Sequence, residues 1–243
     1  MLYIKDFTGN KCLVCDTDDG TCSKLTKQQV IVVNEKFKVL GVSKDKSIYK
    51  VDIFKTIKKW KILGILNTKL DKFTINNLVY SVVDNQIELE GCLNRDLEMG
   101  ETFKIPDIVD VIGDYCFCNS KRVKTIIMPD TIIRLGSECF SGCGSLESVK
   151  LSNNLKVIGD FCFSFCHSLR QITVPSSVAN LKSFCFCGCT ALKRIDILSD
   201  NTFMDFSCFR QCDNLEELLM YKNTYIENKA NLEPYKSIII FKD

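Results

Sequence analysis

Apolar positions in this chain change period along its length. From Ile105 to Leu219 they recur every 23 residues, five times without insertion or deletion. One column holds Cys116, Cys139, Cys162, Cys185 and Cys208, and the next holds Phe117, Phe140, Phe163, Phe186 and Phe209. Four positions on from the first column come Cys143, Cys166, Cys189 and Cys212, with Ser120 in the first copy. Val123, Leu146, Leu169, Leu192 and Leu215 make another column, and Ile126, Val149, Ile172, Ile195 and Leu218 one more. Self-similarity at a fixed period is the signature of a solenoid. Within a repeat, Arg170 to Val174 alternates, with Ile172 and Val174 inward and Gln171 and Thr173 outward, which predicts a short strand. Pro106, Pro129 and Pro175 stop such strands. A second extended piece follows, Leu155 to Ile158 in the third copy, and then Gly159. The segment DFCFSFC sets Cys162 and Cys166 at i and i+4, which predicts one face of a single helical turn.

Outside the repeats the pattern differs. Residues 1–72 carry short apolar runs: Leu13-Val14, QVIVV to Val33 and FKVLGV to Val42, with turn residues at Gly9-Asn10 and Asp18-Asp19-Gly20. They predict a small β-rich module, in which Ile53, Ile57 and Trp60 fall at helical spacing. Residues 73–104 predict a β-hairpin around Asp84-Asn85, placed to cover the first coil of the solenoid at 105–219. Residues 220–243 break the repeat and end in SIIIF, a closing strand of a C-terminal cap.

The repeat motif I-P-x2-V-x2-I-G-x2-C-F-x2-C-x-S-L-x2-I-x-I resembles the BspA-like, or Treponema pallidum type, leucine-rich repeat family. The resemblance implies a right-handed leucine-rich-repeat solenoid with β caps, a mainly β chain with α+β character overall. It also implies adhesion or protein–protein interaction in place of catalysis. This chain departs from the family pattern in having Cys, where the family has Ala, before all five repeat Phe residues. In the last copy Leu198, Asp205 and Lys222 replace or displace the Pro and Gly.

Composition narrows the reading further. The 243 residues carry 32 basic and 30 acidic side chains, so the net charge of +2 exerts no global pull toward nucleic acid or membrane. With Lys5 and Asp6 near the start and no run of 18 apolar residues, the expected location is cytoplasmic, with unconventional export to the surface left open. A single histidine, His167, argues against His-based catalysis and reads as an exposed loop residue.

Of 15 cysteines, 11 lie within the repeats, which favours packing over disulfide or metal chemistry. Cβ atoms at i and i+4 on a helix lie about 5–6 Å apart, whereas a disulfide needs about 3.5–4.5 Å. Pairs between coils would need unusually close approach. Cys12-x2-Cys15 with Cys22 is half of a zinc knuckle without a second half, so no metal and no cofactor are expected. No phosphate loop, paired-carboxylate motif or nucleophile elbow is present, and no small-molecule substrate is expected.

Two candidate binding surfaces remain. Outward strand positions carry Lys124, Glu147, Lys150, Arg170, Gln171, Lys193, Arg194 and Glu216, predicted to stack into a face graded from basic to acidic and suited to another protein. The alternative is Lys55, Lys58, Lys59 and Lys61 around Trp60, a patch for nucleic acid or an anionic surface.

Overall fold

Alternating residues at the head of the chain pair as strands. The computed structural model describes residues 2–8, 11–16, 22–25, 39–42, 48–51, 73–75, 78–83, 86–92, 101–205 and 207–242. They belong to two units, Met1–Leu93 and Asn94–Asp243. In the first, β1 (Leu2–Thr8), β2 (Lys11–Asp16), β3 (Cys22–Leu25), β4 (Val39–Val42) and β5 (Ile48–Val51) form a sheet in the order β3-β2-β1-β4-β5. Thr8 pairs with Lys11, and the register sets Cys15 opposite Cys22. The expected turns at Gly9-Asn10 and Asp18-Asp19-Gly20 lie outside the described residues. β6 (Phe73–Ile75), β7 (Leu78–Val83) and β8 (Gln86–Cys92) form an antiparallel meander. Val83 opposite Gln86 makes the predicted hairpin at Asp84-Asn85. QVIVV and the lysine patch around Trp60 lie outside the described residues.

The second unit is the solenoid. Each coil gives one strand to a longer ladder and one to a shorter ladder. The longer strands are β9 (Thr102–Lys104), β11 (Thr125–Ile127), β13 (Ser148–Lys150), β15 (Gln171–Val174), β17 (Arg194–Ile197) and β19 (Glu217–Tyr221). Interleaved with them are β10 (Val111–Ile112), β12 (Arg134–Leu135), β14 (Val157–Ile158), β16 (Asn180–Leu181) and β18 (Phe203–Met204). All pairings among them are parallel and shift by 23 residues, as in Thr125↔Ser148 and Val157↔Asn180. Pro129 and Pro175 follow β11 and β15 closely, as the sequence predicts, because proline has no N–H for the ladder.

The third part of each coil differs from expectation: DFCFSFC is not a helical turn. In the third coil Cys162, Ser164 and Cys166 donate their N–H to Gly159, Phe161 and Phe163, closing successive tight turns. Phe161, Phe163 and Phe165 instead donate to Ser183, Cys185 and Cys187 of the next coil, at 2.9, 2.7 and 2.8 Å. Half the N–H groups therefore leave the segment, which an α-helix would not allow. The backbone alternates accordingly: Phe161 has φ 51° and Phe165 φ 58°, both left-handed. Every coil repeats this, with Tyr115, Glu138, Phe184 and Ser207 equivalent to Phe161, and Asn119, Gly142, Gly188 and Gln211 equivalent to Phe165.

Between ladders and turn ribbon runs the core. Phe117, Phe140, Phe163, Phe186 and Phe209 stack at centroid distances of 5.2, 5.2, 5.6 and 6.1 Å. Phe103 tilts over the first ring at 5.4 Å, and Tyr235 closes the last edge-on at 5.8 Å. Edge-directed aromatic pairs are favourable ends for such a stack.

The C-terminal cap contains more than the expected closing strand. Two short helices, Lys222–Glu227 and Lys229–Leu232, and a 3-10 segment, Glu233–Ile238, precede β20 (Ile239–Lys242). β20 pairs in parallel with β19. Asn228, 3 % exposed, takes the place of a further coil: its Oδ1 accepts the Met204 N–H at 2.7 Å, and its Nδ2 donates to the Thr202 carbonyl at 2.7 Å. Its side chain thus ends the shorter ladder.

Two stability predictions follow from this packing. Asn228→Ala leaves a buried N–H and a buried carbonyl without these partners and lowers unfolding free energy by about 2–4 kcal/mol in urea titration. A Cβ on Gly159 would stand 2.6 Å from the Gly136 carbonyl carbon, whereas one on Gly144 meets nothing within 4 Å. Gly159→Ala is expected to cost about 1–3 kcal/mol, and Gly144→Ala to be neutral or mildly stabilising.

Candidate interaction faces

Three surfaces carry the chain's distinctive chemistry: the cysteine columns inside, the strand face and the turn face. Cys143, Cys166, Cys189 and Cys212 are buried. Each donates its thiol to the carbonyl of the Phe 26 residues earlier, at 3.2, 3.3, 3.1 and 3.1 Å. Those carbonyls also accept an N–H from their own coil, as Cys143 N–H does to Phe140 at 3.2 Å. A cysteine here is a small apolar filler with a weak donor aimed at a lone pair that would otherwise face the core.

Adjacent coils approach more closely than the sequence suggested. Cys139 and Cys162 Sγ atoms are 3.3 Å apart, because a ladder separates coils by one strand spacing. Burial and the Cys139 thiol push the Cys162 thiol well up. Burial and Cys208 do the same to Cys185, while the Cys189 thiol, then burial, raise Cys166. Raised thiols disfavour the nucleophilic thiolate. Among the described residues no cluster of three or more metal-ligating side chains occurs, and no helix is long and apolar enough to cross a membrane.

The parallel register stacks the eight predicted contact residues into columns. Lys150, Gln171 and Arg194 lie within the long strands, and Lys124, Glu147, Arg170, Lys193 and Glu216 each stand one residue before one. Those five stand in one column, preceded by Glu101, with the two basic residues Arg170 and Lys193 next to each other and the acidic Glu216 after them. Lys124 binds Glu101 at 2.7 Å and Lys193 binds Glu216 at 2.9 Å. Arg194 bridges Asp196 and Glu217. The Lys124 ammonium holds the Glu101 carboxyl below its ordinary range.

The middle of the column is different. Glu147 and Arg170 are exposed and, among the described residues, stand in no salt bridge, although the Glu147 carboxylate, after that of Glu101, helps raise the Lys124 ammonium. They flank a seam where the long ladder divides, since β13 and β15 belong to separate sheets while the short ladder runs on through β14 and β16. Val149, at the seam, is half-buried, whereas Ile126, Ile172, Ile195 and Leu218 of its column are buried. Lys150 and Gln171, also predicted, lie exposed on either side.

The turn face holds residues that sequence reasoning passed over. Tyr115 is 53 % exposed, Phe165 44 % and Phe161 36 %. Phe161 stacks on Phe184 at 4.9 Å with planes 9° apart. Phe165 lies against Gly188, where a Cβ would stand 2.6 Å from its ring. A left-handed backbone costs a residue with a Cβ about 1–2 kcal/mol, and exposed rings recover little of that by burial. The signal was present in the columns: aromatics stand where other copies have Glu138, Ser207, Asn119, Gly142, Gly188 or Gln211. His167, expected as an exposed loop residue, is exposed, with Nδ1 3.3 Å from Thr190 Oγ1.

The raised thiols predict an alkaline limit. A thiol whose folded pKa lies above its unfolded value favours the fold below the unfolded pKa of about 8.5 and loses that contribution as pH rises past it. Thermal unfolding followed by circular dichroism should therefore show stability falling from pH 8 to 10. The fall should be shallower in Cys162→Ala/Cys185→Ala.

Comparison with known proteins agrees with this geometry. The family model described as BspA type leucine rich repeat region matches residues 98–231 in six copies, extending beyond the five uninterrupted repeats. A leucine rich cell surface protein from Faecalibacterium prausnitzii superposes with TM-score 0.59 at 24% identity, over 66% of this chain and 42% of that one. The T. pallidum leucine rich repeat protein gives TM-score 0.56 at 19% identity, over 60% of this chain and 70% of that one. The chain therefore spans less than half the length of the Faecalibacterium protein, and these likenesses concern the fold. No curated protein matches the sequence. Repeat period, ladder architecture and the family match together place this chain in the BspA-type leucine-rich repeat family, whose members generally serve in protein–protein interaction or at cell surfaces.

Proposed function

We propose that the chain is a non-catalytic scaffold that binds another protein through the strand face, at the seam between β13 and β15. The observation that carries this reading is the pair Glu147 and Arg170. Among the described residues they stand in no salt bridge, unlike Lys124 with Glu101 and Lys193 with Glu216 in the same column, and they stand where the sheet itself divides. Flanking charges already neutralise one another, so they set the electrostatic frame and contribute specificity more than affinity. Lys150 and Gln171 add polar reach on each side of the seam. Lys124, Lys193, Arg194 and Glu216 would have to exchange an existing partner to bind a new one.

A reducing, cytoplasmic setting belongs to the same proposal. Neighbouring thiols such as Cys139 and Cys162 sit close enough that an oxidising compartment would press them toward a cross-link.

The test is affinity capture from the native source with wild-type protein, followed by quantitative binding of the recovered partner. Reversal at the seam, E147K/R170E, is expected to weaken binding about tenfold or more, with K193E weakening it less. Unchanged binding by the seam variant, with its thermal stability intact, would remove the strand face from consideration.

A further inference from the structure

We propose that the turn face joins two copies of this chain, side by side and parallel, with Phe161 of each copy packed against Phe165 of the other. The centre of this face is apolar and exposed, formed by Tyr115, Phe161 and Phe165, with Phe184 stacked beneath Phe161. Next to Phe165 in the preceding coil Gly144 leaves an open shelf, where a Cβ would meet nothing within 4 Å, while the Asn119 side chain covers Gly142. A ridge beside a shelf can accept a matching ridge.

The two flanks of the face differ in charge. On the flank that follows the short strands stand Asp114 in the first coil and Asp160 in the third. Asp114 and Asp160 each accept a backbone N–H from the next coil, at 2.8 and 3.0 Å, which fixes their positions. On the flank that leads into the long strands stand Lys121 and Arg122 in the first coil and His167 in the third.

This layout selects the arrangement. A two-fold axis in the plane of contact and parallel to the solenoid axis sets each coil against the same coil of its partner and exchanges left for right. Asp114 of one copy then meets Lys121 of the other, twice, while Phe161 meets Phe165 twice. The antiparallel alternative sets acidic flank against acidic flank. An isologous contact of this kind is the common form of homodimer, because one patch complements itself. Asp213 occupies the lysine flank in the fifth coil, so the contact centres on coils one to three.

Self-association also accounts for aromatic residues in left-handed backbone without full burial. Asparagine and glycine hold such positions most readily, and the chain uses them at Asn119, Gly142 and Gly188. Phe161 and Phe165 forgo that relief for rings placed at the surface.

The experiment is sedimentation velocity on the full chain from low micromolar to near-millimolar concentration. Wild type is expected to show a monomer–dimer equilibrium that weakens with added salt. F161N/F165N should raise the dissociation constant about tenfold or more while thermal stability holds or rises, since asparagine relaxes the left-handed sites. K121E, which opposes Asp114 with a second carboxylate, should weaken the dimer with the fold unchanged. Three results would each overturn the proposal: a wild type that stays monomeric throughout, a dimer that F161N/F165N leaves intact, or a dimer lost instead in the strand-face variant E147K/R170E.

Discussion

The repeat region depends on the hydrogen bonds that pass from one coil to the next. Strand amides such as Lys124 N–H reach back to Glu101, and ribbon amides such as Phe163 N–H reach forward to Cys185. Because the strands pair with a shift of 23 residues and the ribbon bonds recur from coil to coil, equivalent side chains stack over one another. Phenylalanines meet phenylalanines, thiols meet thiols and charges meet charges. The stacking of like on like is thus imposed by the backbone, and each column has to consist of residues that tolerate their own kind. Phe does so through offset ring stacking. Cysteine does so because its thiol is small, neutral at ordinary pH and able to donate to a carbonyl one coil back. A charged column is eased where neighbours differ in sign, as Lys124 with Glu101 and Lys193 with Glu216.

Much of the fold was legible in the sequence because those columns are chemically narrow. Five Cys-Phe pairs at fixed spacing, Pro after the strand and Gly before the ribbon leave few other architectures. The ribbon itself was misread for a specific reason. Cys162 and Cys166 at a spacing of four satisfy helical periodicity, but so does any structure that returns to the same side after four residues. The distinction lies in φ at Phe161 and Phe165, and aromatic side chains give no hint of a left-handed backbone.

Alternation places Lys150, Gln171 and Arg194 outward on their strands, whereas Lys124, Glu147, Arg170, Lys193 and Glu216 each stand one residue ahead of a strand, where alternation does not reach. Their pairing was not readable in the same way. The ion pair of Lys124 needs Glu101, which lies outside the first repeat. The seam beside Val149 left still less trace, a single shortened side chain among Ile and Leu. Caps are harder again: Asn228 replaces a coil with one amide, and an isolated asparagine in a polar segment carries no pattern at all.

That amide bears on how the molecule can change size. Since Asn228 satisfies only the last short strand and Tyr235 only the last ring, the terminal module is indifferent to how many coils precede it. A duplication or loss of 23 residues between the ends would preserve every contact type, while altering the distance between the seam and the terminus. Length in this architecture is a free variable, and what natural variation can tune is the position along the stack at which a given surface feature falls.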